Sequence, residues 1–275
     1  MAYENIIYEK HDKVARITLN RPDVLNALNF ELLDELESAL AEAEQDNEIG
    51  VIIIKGAGRA FCSGYDIAPG KLGIHHAGPI FSDMTFLQKI KRKITAPWNT
   101  AKPVIAQVHG HCVAGGNDLA GQCDIIIAAE DAKIMLPQIR RIGVALPLNM
   151  FAYNAGLQWA KMLVFTGDSI TGKKAEEIGL VAKAIPKNML DEEVTKLAMR
   201  IAMVPHELLA LNKIAINRVA EEMGLRNVLN FGAELDAISH FTEPVQDFKR
   251  IAAKKGLKNA IAENEAQFKT LPGFF

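Results

Sequence analysis

His109-Gly110-His111-Cys112-Val113-Ala114-Gly115-Gly116-Asn117-Asp118-Leu119-Ala120 is the stretch on which the reading of this chain turns. Val104-Ile105-Ala106-Gln107-Val108 leads into it and has the apolar character of a short buried strand. The adjacent glycines mark a sharp turn where backbone comes close to something else. Asn117-Asp118-Leu119-Ala120 then suits the start of a helix, with Asp118 in its first turn. A strand that turns through glycine into a helix leaves backbone N–H groups free, beside the positive end of the helix dipole. Such a place stabilises negative charge, and here a carboxylate stands next to it. An ordinary strand-to-helix turn has the same local sequence, so this segment alone leaves both readings open.

Working outward, Ile6 to Glu9 and Val14 to Leu19 read as two strands joined by the polar turn His11-Asp12-Lys13. Asn20-Arg21-Pro22-Asp23 breaks the pattern. Asn29 suits an N-cap, because Leu32, Leu33, Leu36, Ala39, Leu40 and Ala43 follow it at helical spacing. Val51 to Ile54 is a compact buried strand that runs into the loop Gly56 to Phe61. Strand, helix and strand in this order imply a crossover unit and an α/β architecture. Residues 68–78, rich in Gly, Pro and His, read as a mobile surface loop of the kind that covers active sites. Phe86, Leu87, Ile90 and Ile94 restore a helical period over Phe81 to Ile94, and Ile125 to Ala128 and Ile134 to Leu136 read as short strands.

After Pro186 the chain becomes mainly helical, with segments 190–201, 208–223, 225–241, 245–253 and 260–268. This divides it into an α/β core, residues 1–203, carrying the site, and a helical region, 204–275. Such a tail either packs back on the core or forms a subunit contact.

The composition narrows the function class. With 275 residues, 49% hydrophobic and 23% charged, the chain suits one large domain, or a main domain with an appendage. A net charge of −2 gives no reason to expect nucleic-acid binding. No apolar run approaches the roughly 18–20 residues needed to cross a bilayer, and the first residues lack the layout of a secretory signal. Cys62, Cys112 and Cys123 cannot all pair, and none falls in a Cys-x-x-Cys spacing. That argues against a disulfide scaffold or a cysteine zinc site, and points to a cytoplasmic protein without a membrane partner.

Several motifs lead nowhere. Gly56-x-Gly58 lacks the third glycine of a dinucleotide fingerprint, with Phe61 in its place. Cys62-Ser63-Gly64 is no nucleophile elbow. His75-His76 has no further ligand-like neighbours and fits a solvated loop better than a metal. His109 and His111 suit structural roles, although His111 would point near the glycine turn; Cys112 and Cys123 suit the core. The informative signal is a pair of loops. Ala60 to Ile67 follows one buried strand and Gly110 to Leu119 another. If the strands are neighbours, both turns open at one sheet edge, where an N–H from each can converge on a single oxygen. Two such donors form an oxyanion hole, in which losing one donor costs about 2.7–4 kcal/mol of transition-state stabilisation.

At this point the chain resembles the crotonases, the enoyl-CoA hydratase/isomerase superfamily, over nearly its full length. Leu19-Asn20-Arg21-Pro22-Asp23-Val24-Leu25-Asn26-Ala27-Leu28 is similar to the N-terminal signature of that family. Ala60-Phe61-Cys62-Ser63-Gly64-Tyr65-Asp66-Ile67 is similar to its Ala-Phe-x-Ala-Gly-x-Asp-Ile loop. His109 to Leu119 resembles its glycine-rich loop, with Cys123-Asp124-Ile125 as the continuation. Thr166 to Ile170 with Ala175 to Val181 resembles a further characteristic stretch. Each motif is weak alone; their order is what makes the resemblance. It implies an α/β spiral of β-β-α units with a C-terminal helical trimerisation region, assembled as a homotrimer or a dimer of trimers. It also implies a CoA thioester as substrate, with no separate cofactor and no metal. The thioester carbonyl would lie between the N–H groups of Tyr65 and Gly115. The CoA contacts would fall near Val24, Leu25, Ala27, Ser63, Asp66 and Ile67, with basic residues of a neighbouring subunit's tail contributing.

Departures from the family pattern bear on the chemistry. Its hydratases use two glutamates, and this chain has Asp118 at the first position and Gln138, after Pro137, at the second. Aspartate keeps the charge with roughly 1.5 Å less reach. Glutamine keeps the size but cannot exchange a proton usefully near neutral pH. Val144-Ala145-Leu146-Pro147 replaces a Gly-Gly-Thr segment, and Ala114 replaces the first glycine of a triplet, which reads as the milder change. Arg140 and Arg141 read as solvated surface charges. The expected function is therefore a lyase or isomerase acting on an acyl- or enoyl-CoA through an oxyanion-stabilised enolate, with Asp118 as the one clear acid/base and Gln138 orienting water or a substrate oxygen. Hydration is the family default. Double-bond isomerisation, or hydrolysis of a C–C bond or thioester, is the alternative that Gln138 favours; a catalytically weak CoA-ester-binding protein is a further one.

Overall fold

The computed structural model describes residues 3–68, 79–140, 142–144, 150–271 and 273–275. Residues 69–78 of the cover expected over 68–78, with the His75-His76 pair, Arg141 and most of the Val144 to Pro147 segment, lie outside the described residues.

Strands β1 (Ile6–His11) and β2 (Val14–Leu19) form a hairpin, followed by helix α1 (Phe30–Gln45) and β3 (Val51–Gly56). Helices α2 (Ile80–Ile94) and α3 (Ala96–Asn99) precede β4 (Val104–Val108), β5 (His111–Val113) and α4 (Gly115–Gly121). Then come β6 (Ile125–Ala129), β7 (Lys133–Met135), α5 (Phe151–Asn154), α6 (Gly156–Thr166), β8 (Ile170–Thr171), α7 (Gly172–Glu177) and β9 (Lys183–Ile185). The chain ends in α8 (Leu190–Ile201), α9 (His206–Glu222), α10 (Leu225–Ser239), α11 (Glu243–Lys255) and α12 (Leu257–Phe268).

Six strands form one sheet in the order β1-β2-β3-β4-β6-β9, and β5, β7 and β8 form a second. The first strand of each pair β4–β5 and β6–β7 joins the large sheet and the second joins the small one, which is the spiral the resemblance implies. All pairings in the large sheet are parallel except the β1–β2 hairpin. Strands covered on both faces are apolar throughout, as Val51 to Ile54 and Val104 to Ala106 are, and all are buried. Asn29 caps α1 by accepting from Leu32 N–H at 3.0 Å, and the six apolar residues read from the spacing face the core.

The sequence reading missed β5, β8 and β9, which have three residues or fewer and so too little length for a period to show. Helix α4 starts at Gly115, two residues before Asn117. The Asn117 amide instead donates to the carbonyls of Cys112 and Met135, at 3.0 and 2.9 Å, tying the ends of β5 and β7 together. Arg140 corrects the solvated reading. Its side chain is 7% exposed and shared between Asp168 and Glu265, each at 2.7 Å. The tail packs back on the core through α10 against α2.

Candidate active site

The register Ile54↔Ala106 and Lys55↔Gln107 sets the C-terminal ends of β3 and β4 side by side, so the loops after them open at the same edge. The loops then pair: Cys62 N–H donates to His111 C=O at 3.0 Å and Val113 N–H to Cys62 C=O at 3.0 Å. A Cβ built on Gly116 would stand 2.6 Å from the Cys62 carbonyl oxygen, so only glycine permits this approach. A Cβ built on Gly64 would lie 3.3 Å from the Gly115 nitrogen, which places residue 64 directly over the start of α4.

Tyr65 forms an isolated parallel bridge with Leu28 in which the flanking groups bond: Leu28 N–H to Gly64 C=O at 2.8 Å and Asp66 N–H to Leu28 C=O at 2.7 Å. In that geometry the Tyr65 N–H points away from residue 28. The α4 ladder begins with Asn117 N–H to Ala114 C=O at 2.8 Å, so the Gly115 amide precedes the first intrahelical bond. Ala114 sits at φ +50°, ψ −120°, a conformation natural to glycine. Its replacement of a glycine is thus a strained change, worth about 1–3 kcal/mol.

Residues 24–28 run beside 63–66. Ser63 N–H donates to Leu25 C=O at 2.9 Å and its hydroxyl to Val24 C=O at 3.1 Å. Asn26, fully buried, donates to the carbonyls of Ala57 and Ala60 at 2.9 and 2.8 Å and so fixes the first loop. Arg21 donates to Asp66 at 2.9 Å, so that carboxylate is engaged within the chain. Val24 is exposed, Leu25, Ser63, Asp66 and Ile67 are half-buried, and Ala27 is buried beneath them.

A cavity of about 430 Å³ opens where the loops meet. Ser63, Tyr65, Ile67, Ala114, Asp118 and Gln138 line it, together with apolar residues of α2 and residues of α10 and α12. Among the sequence-read candidates, Val24, Leu25, Ala27, Asp66 and Gly115 are not on its wall, and neither is His111. His111 lies on β5 opposite Lys133 of β7, and burial lowers its pKa.

Asp118 is fully buried. The Tyr65 hydroxyl donates to its Oδ2 at 3.0 Å, while Oδ1 makes no hydrogen bond among the described residues. Burial pushes the Asp118 pKa up to about 7; the Tyr65 hydrogen bond opposes that rise and the charge of Asp236 adds to it. Gln138 lies on the turn after β7, and its Oε1 is likewise buried without a partner among the described residues. The amides of Ile142 and Gly143 donate to the Gln138 carbonyl at 2.8 and 3.1 Å.

Sequence reading missed the Tyr65 phenol and a polar cluster across the cavity made by Asp83, Asp236 and His240. Asp83 falls three, four and seven residues before Phe86, Leu87 and Ile90, so a carboxylate on the buried face of α2 was the available signal. Nothing local marks His240, which only the packing of α10 against α2 brings in.

A profile described as enoyl-CoA hydratase/isomerase matches residues 9–269. A protein of Rhizobium meliloti named "Probable enoyl-CoA hydratase" is 32% identical over 276 residues, 98% of this chain and 99% of its own. The mitochondrial enoyl-CoA hydratase of Pongo abelii is 33% identical over 97% of this chain and 88% of its own length. A crystal structure of an enoyl-CoA hydratase/isomerase from Xanthobacter autotrophicus Py2 superposes with a TM-score of 0.90 at 32% identity, covering 99% of this chain and 100% of that one. With the two paired loops and the spiral of strands, these likenesses establish that the chain belongs to the enoyl-CoA hydratase/isomerase family.

Proposed function

We propose that the chain binds an acyl- or enoyl-CoA thioester with its carbonyl oxygen between the N–H groups of Tyr65 and Gly115, and that Asp118 carries the proton transfer. The observation that bears most weight is the buried Asp118 carboxyl, on a residue that lines the cavity, with one oxygen held by Tyr65 and the other without a hydrogen bond among the described residues. As a carboxylate, Asp118 takes a proton from the α carbon. The C–H electron pair moves into the C=C bond of an enolate, and the resulting charge on oxygen falls on the two amides. A pKa near 7 lets the same carboxyl accept the proton and return it at neutral pH. CoA would run along residues 24, 25, 27, 63, 66 and 67, whose backbones lie together at the mouth of the site. Basic residues from a neighbouring copy's tail would assist.

Return of the proton at the γ carbon isomerises the double bond. Hydration instead needs a water delivered to the β carbon, and Gln138 can orient that water but cannot take its proton. The amide at Gln138 therefore favours isomerisation over hydration; hydrolysis at a carbon–carbon bond or thioester is the alternative in which Asp118 would take the proton of the attacking water. Incubation with butanoyl-CoA and 3-enoyl-CoA thioesters in deuterated buffer tests the reading by mass spectrometry. Deuterium is expected at the α carbon and to disappear in Asp118→Asn. Exchange that persists in the variant would remove Asp118 from the mechanism, and no exchange in the unaltered protein would leave only a binding role.

The family resemblance also implies a trimer or a dimer of trimers, and the tail supports a subunit contact. Leu208, Leu211 and Val219 of α9, and Met223 at its end, are exposed on one side of the helix, while Lys213 on another side is buried against Asp124 at 2.7 Å. Val228, Phe231, Leu235 and Ile238 form a second exposed stripe on α10. Apolar stripes of this extent are characteristic of interfaces.

A further inference from the structure

The wall of the cavity formed by α2 and α10 carries groups that the enolate chemistry does not use. Asp83, 1% exposed, holds His240 through a 2.7 Å contact from its Oδ2 to Nδ1. Its Oδ1 is buried and makes no hydrogen bond among the described residues. His240 Nε2 stands 3.8 Å from Asp236 Oδ1, outside hydrogen-bond range. Asp236 is already occupied, accepting from Val144 N–H at 3.1 Å. All three side chains face the space that Asp118 and Gln138 face.

We propose that this wall binds a hydroxyl group on the acyl moiety, so that the substrates are hydroxylated acyl thioesters and not plain hydrocarbon ones. This rests on the thioester reading above. A carboxylate only accepts hydrogen bonds, so Asp83 takes the ring N–H at Nδ1 of His240 through Oδ2 and leaves its own Oδ1 without a donor among the described residues. That oxygen is an acceptor. A hydrocarbon chain packed against it would leave it buried and unsatisfied, which is costly. A hydroxyl group on the acyl moiety supplies the missing donor. Apolar side chains of α2, Phe86, Leu87 and Ile90, line the same space and suit the carbon skeleton that carries it.

Calorimetric titration of the full chain with two matched pairs tests the assignment: hexanoyl-CoA against 6-hydroxyhexanoyl-CoA, and cyclohexanecarbonyl-CoA against 4-hydroxycyclohexanecarbonyl-CoA. In at least one pair the hydroxylated thioester is expected to bind about tenfold tighter, the value of one added hydrogen bond to a buried acceptor. That ratio should fall to about one in Asp83→Leu and partway in His240→Phe, which frees the Asp83 side chain to turn. Reading a ratio within each protein removes any general loss of affinity or of folded fraction. A ratio near one in both pairs for the unaltered protein would overturn the assignment and leave water as the donor. A ratio unchanged in both variants would overturn it equally. Binding of none of the four would overturn the thioester reading itself, and the hydroxyl assignment with it; binding of the unhydroxylated pair alone would leave the thioester reading standing.

Discussion

Asp118 is held by opposing influences, and their balance predicts a pH profile. Burial lifts its pKa to about 7, against the pull of the Tyr65 hydroxyl. A base must be ionised to act, so α-proton exchange should be slow at pH 5, rise through about pH 7 and level off above it. Tyr65→Phe removes the hydrogen bond that favours the carboxylate, so the midpoint should move to higher pH; a midpoint that stays or falls would contradict the pairing. Gln138 provides the second residue-scale prediction. Gln138→Glu supplies the missing acid/base at the turn after β7, and loss of the conjugated absorbance of crotonyl-CoA should speed up by about tenfold or more, within the range of a general acid–base group. The first of these residues was picked out beforehand by the pair of loops and the family resemblance together, since the glycine turn alone also fits an ordinary strand-to-helix connection. The Tyr65 phenol was not, since nothing in Gly64-Tyr65-Asp66 tells which way the ring turns; it lies against Gly115, whose added Cβ would meet it at 2.7 Å.

At the scale of elements, the site exists because two loops pair with each other after leaving adjacent parallel strands. Both strands were readable as apolar runs, but that they are neighbours was only a condition of the reading, which the β3–β4 register meets. The short strand β5, which performs the pairing, was not readable, because its three residues are fixed by contact with Cys62 and by β7. Gly116→Ala tests this directly. Its Cβ would meet the Cys62 carbonyl at 2.6 Å, so the loops must separate. The expected cost is about 2–3 kcal/mol, a fall of roughly 5–10 °C in Tm, together with loss of α-proton exchange even where the protein remains folded. Unchanged exchange in this variant would mean that the loop pairing does not form the oxyanion site.

For the whole molecule, the helical tail has two sides that sequence alone could not separate. One side of α10 reaches the cavity through Ala233 and Asp236, and His240 at its C-terminal end does so too. The other side carries the stripe that includes Phe231, 60% exposed. Light scattering on the eluting protein should give a mass of three or six 30.1 kDa chains, and Phe231→Glu should shift it downward; a monomer in the unaltered protein would contradict the interface. These predictions presuppose a bound thioester at the junction of the two loops. A crystal structure with a non-reactive acyl-CoA analogue examines that most directly. The account predicts the thioester oxygen within about 3 Å of both the Tyr65 and Gly115 nitrogens, with the α carbon facing Asp118 Oδ1. A thioester oxygen touching only one of those amides, or neither, would contradict it.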